Sequence, residues 1–139
     1  MNDPSTNRQG VLYIVAKHIG NLEDITLRAI RVLKEVHLIA AEDTRHTRIL
    51  LNAYEILTPV ISLHEHNEKE RSAVILDKLA SGSDVAYVSD AGTPCISDPG
   101  CHLVDLALEN HYRVIPVPGP SALIASLSIC GFSANRFVF

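Results

Sequence analysis

The sixteen residues VAYVSDAGTPCISDPG, Val85 to Gly100, decide how the rest of the chain is read. A short apolar run, Val85 to Ser89, has the length and composition of a strand buried on both faces. It opens directly into Asp90 to Gly100, rich in Gly, Pro, Asp and Ser, a loop too long and too polar for a hairpin turn. A buried strand ending in such a loop belongs to a parallel sheet, whose carboxyl edge is where open α/β folds hold ligands.

Working outward, the same grammar repeats. Val11 to Ala16 (VLYIVA), His37 to Ala41 (HLIAA), Val60 to Leu63 (VISL) and Arg113 to Val117 (RVIPV) read as four more strands. Between the first two, Leu22, Ile25, Ala29, Val32, Leu33 and Val36 recur at helical steps, with Asn21 as the expected cap. Thr44 to Ala53 reads as a second helix. Asn67-Glu68-Lys69-Glu70 resembles a capping box for a third, and Asp98-Pro99 resembles cap and first position of a fourth. A fifth helix runs from about Ser121 to Ile129 and stops at Gly131. The expected fold is therefore α/β: a five-stranded, mainly parallel sheet with helices on both faces.

Residues 1–10 are polar and read as a flexible tail, and 11–135 as one α/β domain, the one to which the resemblance described below assigns cofactor binding. Residues 136–139, Arg-Phe-Val-Phe, read as the truncated start of a second domain, so the chain reads as a fragment. With 139 residues and 47% hydrophobic content, one domain with an ordinary core is expected. No apolar run approaches the length of a membrane span. The three cysteines, Cys95, Cys101 and Cys130, form no CxxC pair, which suggests reduced thiols and a cytoplasmic protein. A net charge of −4 argues against a broad nucleic-acid-binding surface and leaves room only for a local basic site.

Neither GxGxxG, GxxxxGK[ST] nor GxSxG is present. The strand ends instead carry three loops, His18 to Asn21, Asp90 to Gly100 and Pro118 to Ala122, whose Gly and Pro let backbone groups approach a flat polar ligand. The second strand ends in Glu42-Asp43-Thr44-Arg45-His46-Thr47-Arg48. One carboxylate there could take a proton from a hydroxyl, and Arg45 and Arg48 could hold phosphate. The same residues also fit a plain helix start, with Asp43 or Thr44 as cap and the arginines solvated. His64 and His66 share a face if the third strand continues, but no third ligand stands at a telling spacing, so no metal is expected.

The segments IGNLEDITLRA (Ile19 to Ala29), AAEDTRHTRILL (Ala40 to Leu51), SLHEHNEKER (Ser62 to Arg71), SDAGTPCISDPG (Ser89 to Gly100) and PVPGPSALIASLS (Pro116 to Ser128) together resemble the tetrapyrrole methylase family, in particular its RNA-methylating members. That resemblance implies transfer of a methyl group from S-adenosylmethionine to the ribose 2′-hydroxyl of a cytidine in small-subunit ribosomal RNA. It further implies two α/β domains with the cofactor in the cleft between them, and a homodimer. By position it places the cofactor against Ile19, against Ala91, Gly92 and Thr93 with Ile96 beyond them, and against Ser121 and Ala122. Asp43 falls where some relatives have an acid proposed as proton acceptor. The fragment alone is expected to be inactive. Two alternatives stand beside this one, a small-molecule tetrapyrrole methylase and a non-catalytic binding module. Where the family commonly reads Ala-Thr-Pro-Ile-Gly-Asn, this chain reads Ala16-Lys17-His18-Ile19-Gly20-Asn21, which frees the turn from its proline and adds a charge near the cleft.

Overall fold

A computed structural model describes residues 8–139. Five strands, β1 (Val11–Val15), β2 (Leu38–Ala41), β3 (Val60–Ser62), β4 (Val85–Val88) and β5 (Arg113–Val117), form one sheet in the order β3-β2-β4-β1-β5. Every pairing is parallel. The helices are α1 (Leu27–Glu35), α2 (Thr44–Ala53), α3 (Glu68–Ala80), α4 (Cys101–Glu109) and α5 (Ala122–Ile129). The five-stranded parallel sheet expected from the sequence is the fold.

Side chains of β4 alternate between two cores. Ala86 and Val88 join the cluster of α1 and α2 around Leu33 and Leu50, whereas Val85 and Tyr87 join that of α3 and α4 around Ile75 and Leu103. The partition follows from the strand order. The chain moves in one direction along the sheet through α1 and α2 and returns through α3 and α4. Crossovers of one hand must then place the two helix pairs on opposite faces. Loops leaving β4 and its neighbours β1 and β2 therefore diverge, which opens a crevice at the carboxyl end of β4.

Several boundaries differ from the sequence reading, each for a local reason. The helix expected from Leu22 to Val36 is broken. Asn21 caps only a 3₁₀ turn, Leu22–Asp24, and α1 starts afresh where the Thr26 hydroxyl accepts the Ala29 amide at 3.0 Å. Ile25 between them is extended, with its side chain in the core. The Asn67 side chain does not cap α3; it accepts the His64 amide at 2.8 Å and donates to Ser62, closing the preceding loop. Helix α4 begins after Gly100, not at Asp98-Pro99. Gly100 has φ +113, and a Cβ there would lie 2.4 Å from the Tyr87 ring, so only glycine fits. Arg136 to Phe139 form no strand.

Of the expected tail, residues 1–7 lie outside those described. The Arg8 guanidinium meets Asp84 at 3.2 Å and the Gly10 amide donates to the Leu79 carbonyl at 2.8 Å. Among the described residues, no helix is long and apolar enough to cross a membrane.

Candidate cofactor site and acidic strand ends

The three loops singled out in the sequence meet at the carboxyl edge. The Lys17 amide donates to the Gly92 carbonyl at 3.1 Å and the Gly92 amide to the His18 carbonyl at 3.4 Å, an antiparallel bridge that joins the first loop to the second. The third loop closes on the first so tightly that a Cβ on Gly119 would stand 2.8 Å from that of Ala16. Gly92 sits at φ +65, facing Ile19 and the Pro120 carbonyl, and the Ser89 hydroxyl holds the Ala91 carbonyl at 3.1 Å.

A cavity of about 270 Å³ opens there, lined by Ala91, Gly92, Thr93 and Ile96 on one side and Ser121 and Ala122 on the other. Six of the seven residues expected at the cofactor are thus brought together. Ile19, the seventh, lines an adjoining open hollow of about 780 Å³ that shares Ser121. The bridge takes up the amide and carbonyl of Gly92, while Ala91 and Thr93 on either side stay exposed, which leaves main-chain groups and room for a flat ligand with a polar rim. The lining therefore fits S-adenosylmethionine.

Next to this cradle, the ends of β2 and β4 are cross-braced. The Glu42 carboxylate accepts the Asp90 amide at 3.1 Å, and the Asp90 carboxylate accepts the Asp43 amide at 3.1 Å. Asp43 caps α2, its Oδ1 accepting the Arg45 and His46 amides at 2.9 and 3.3 Å. These amides, with the nearby Arg45 side chain, hold Asp43 below the usual carboxylate range. Burial pushes Glu42 and Asp98 upward instead; the Asp90 amide partly offsets this at Glu42.

Beneath the brace lies Lys17, with no exposed surface. Its Nζ donates to Thr47 Oγ1 of α2 at 3.3 Å. Burial pushes its ammonium below the usual lysine range, opposed by Asp90, Glu42 and Asp43. The sequence placed the charge of Lys17 near the cleft, but neither its burial nor the pairing of Glu42 with Asp90 was read from it. The one available signal was a charged residue directly after the apolar run Val11 to Ala16.

Arg45 and Arg48 are exposed on α2, beside the capped acid. The His64 Nδ1 accepts the His66 amide at 3.2 Å, which commits one ring nitrogen to its own loop. Among the described residues, no group of three or more His, Cys, Asp or Glu could hold a metal ion. Burial and the neighbouring Cys101 push the Cys95 thiol up to about 12, so it stays protonated and unreactive near neutral pH.

The family model described as tetrapyrrole (corrin/porphyrin) methylases matches residues 11–138. The chain is 52% identical over 134 residues to ribosomal RNA small subunit methyltransferase I of Haemophilus influenzae, covering 96% of this chain and 47% of that protein. The protein of the same name from Pseudomonas aeruginosa is 55% identical over 130 residues, covering 94% and 46%. The chain spans about half the length of the curated relatives it matches. Among solved structures, diphthine synthase superposes with a TM-score of 0.71 at 16% identity, covering 92% of this chain and 51% of that one. Uroporphyrin-III C-methyltransferase of Thermus thermophilus gives 0.66 at 23% identity, covering 92% and 55%. At these identities the two structures speak for the fold alone.

Proposed function

Because the chain belongs to the tetrapyrrole (corrin/porphyrin) methylase family, we propose that it forms one wall of the active site of an S-adenosylmethionine-dependent RNA methyltransferase. The substrate is the ribose 2′-hydroxyl of a cytidine in small-subunit ribosomal RNA. The identity to proteins named ribosomal RNA small subunit methyltransferase I supports the substrate class. The observation that carries the reading is the convergence of three loops, tied by the Lys17–Gly92 bridge, around one cavity. Residues 11–135 act as the cofactor domain, residues 136–139 lead into a second domain, and that domain supplies the opposite wall.

When bound, S-adenosylmethionine supplies an electrophilic methyl group. Ala91 and Thr93 would hold it through the backbone, Ile96 and Ile19 by apolar contact, and Gly92, Ser121 and Ala122 by leaving room. Arg45 and Arg48 grip RNA phosphates, which suits their exposure and the otherwise acidic balance of the chain. Asp43 faces the substrate hydroxyl. Two amides occupy Oδ1, which leaves the second oxygen to accept the hydroxyl proton while Arg45 steadies the charge.

The protein works as a cytoplasmic homodimer. The exposed apolar residues Ile124 and Ile129 of α5, with Phe132 and Phe137, support an apolar contact surface. The deciding experiment is transfer of a tritiated methyl group to small ribosomal subunits by the protein at its full natural length. Transfer to ribose, reduced by Gly92→Val through weaker cofactor binding, is expected. Absence of transfer to RNA, with methylation of a tetrapyrrole instead, would replace the proposed substrate. The 139 residues alone should show no transfer, since one wall leaves the cofactor unenclosed.

A further inference from the structure

We propose that Lys17 is a positioning residue for the cofactor cradle, its buried ammonium holding the Glu42–Asp90 brace together and thereby fixing the loop that carries Ala91 to Thr93. The inference rests on the cofactor reading above and adds a residue to it.

Three features converge on this side chain. Its own backbone is bridged to Gly92, so any movement of Lys17 moves the cradle. Its Nζ is bonded to Thr47 of α2, the helix that Asp43 caps. Its charge lies among the carboxylates of Asp90, Glu42 and Asp43, which reach it through space, without a salt bridge inside 4.0 Å among the described residues. Of the other titratable groups, His18 on its own loop is near Lys17, His46 of α2 is near His18, and Asp98 adds further negative charge near Glu42 and Asp90.

In this chain, where the family commonly has a threonine, a cation is set near the brace. Glu42 and Asp90 each accept a backbone amide from the other strand end, and that pairing brings two acids together at a half-buried edge. Like charges at short range in a poorly solvated place repel strongly, and a buried cation offsets the repulsion where water cannot. Removing one partner of such a group leaves the others uncompensated. Lys17 is itself fully buried, so it cannot touch RNA; whatever it does for the reaction, it does through the loop and the helix.

The test uses the protein at its full natural length, with calorimetric titration of S-adenosylmethionine and hydrogen exchange at the Gly92 amide without cofactor. Lys17→Met is expected to weaken cofactor binding about tenfold and speed Gly92 exchange by a similar factor. Adding Glu42→Gln removes one of the repelling charges while keeping an oxygen for the Asp90 amide, so Lys17→Met/Glu42→Gln should recover most of both losses. Loss of packing alone would not be rescued by a change of charge elsewhere. Parental exchange in Lys17→Met, or an impaired Lys17→Met that Glu42→Gln fails to rescue, overturns the proposal. Should Lys17→Met not fold, Thr47→Val removes only the hydroxyl that fixes Nζ. It should raise Gly92 exchange by a smaller factor, and an unchanged rate then overturns the proposal. A parental protein that binds no S-adenosylmethionine refutes the cofactor reading instead, while Gly92 exchange still decides what Lys17 does.

Discussion

The two edges of the sheet handle acidic residues in opposite ways. At the amino edge a single acid, Asp84, is saturated by direct donors. It accepts the Val11 amide at 2.8 Å and Arg8 at 3.2 Å, while its own amide donates to His37 Nδ1 at 3.0 Å. At the carboxyl edge Glu42, Asp43 and Asp90 act on one buried lysine, and Asp98 adds negative charge near Glu42 and Asp90. One edge closes the fold. The other keeps acidic acceptor capacity in reserve, as sites that bind and react do.

If that contrast is right, changes at the carboxyl edge should cost function and changes at the amino edge should cost stability. The largest effect is expected from Asp43→Asn. Asn still caps a helix well, so folding should change little, whereas loss of a proton acceptor should slow methyl transfer by about a hundredfold or more. Single-turnover rates measured beside thermal melts will separate the two. The sign of its titration is also fixed. A carboxylate held below its ordinary range stays ionised as pH falls, so its contribution is present at neutral and mildly acidic pH and is lost only below its depressed value. A rate that already collapses near pH 6 would remove Asp43 from the role.

Gly92→Val comes next. A β-branched residue at φ +65 costs about 1–3 kcal/mol of strain, and its bulk projects toward Ile19 in the cradle. Affinity for S-adenosylmethionine should fall roughly thirtyfold or more, about 2 kcal/mol, by calorimetry. Asp84→Ala is the control from the opposite edge. It removes acceptors from the Arg8 side chain and the Val11 amide, which should destabilise the fold by about 1.5–3 kcal/mol in urea, with cofactor affinity unchanged. Weaker cofactor binding in that variant would mean the two edges are not separable.

The smallest effect should come from Arg45→Ala and Arg48→Ala. Each removes one phosphate contact, so the salt dependence of RNA binding should become shallower by about one unit per arginine, with little sequence preference. An unchanged slope would leave both arginines as ordinary solvated side chains.

What was legible in the sequence had local causes. The bounds of α2 and β5 agree to the residue, since a strong cap opens the first and the polar, glycine-bearing and proline-bearing segments on either side delimit the second. The gathering of the three loops followed from their places at strand ends. The break at Ile25 was hidden because Asn21 and Thr26 are both good caps, and only the burial of Ile25 decides between one helix and two turns. The Glu42–Asp90 brace joins residues 48 apart, and nothing local announces it. The depth of Lys17 is likewise a property of how the sheet packs against its own loops.

The sheet order also sets a timetable. Strand β1 is the first to be synthesised, yet its hydrogen-bonded neighbours are β4 and β5. Val11 pairs with Arg113, so the ribosome adds about a hundred residues between the two. At roughly 5–20 residues per second, β1 waits on the order of 4–15 s for β4 with both edges bare, and up to about 5–20 s for β5 with one. Throughout that interval VLYIV is an open template for the wrong strand, and nascent-chain chaperones have something to protect. Lys17 meets Gly92 only when the interval is nearly over, so the ligand-binding edge forms only after most of these strands have been made.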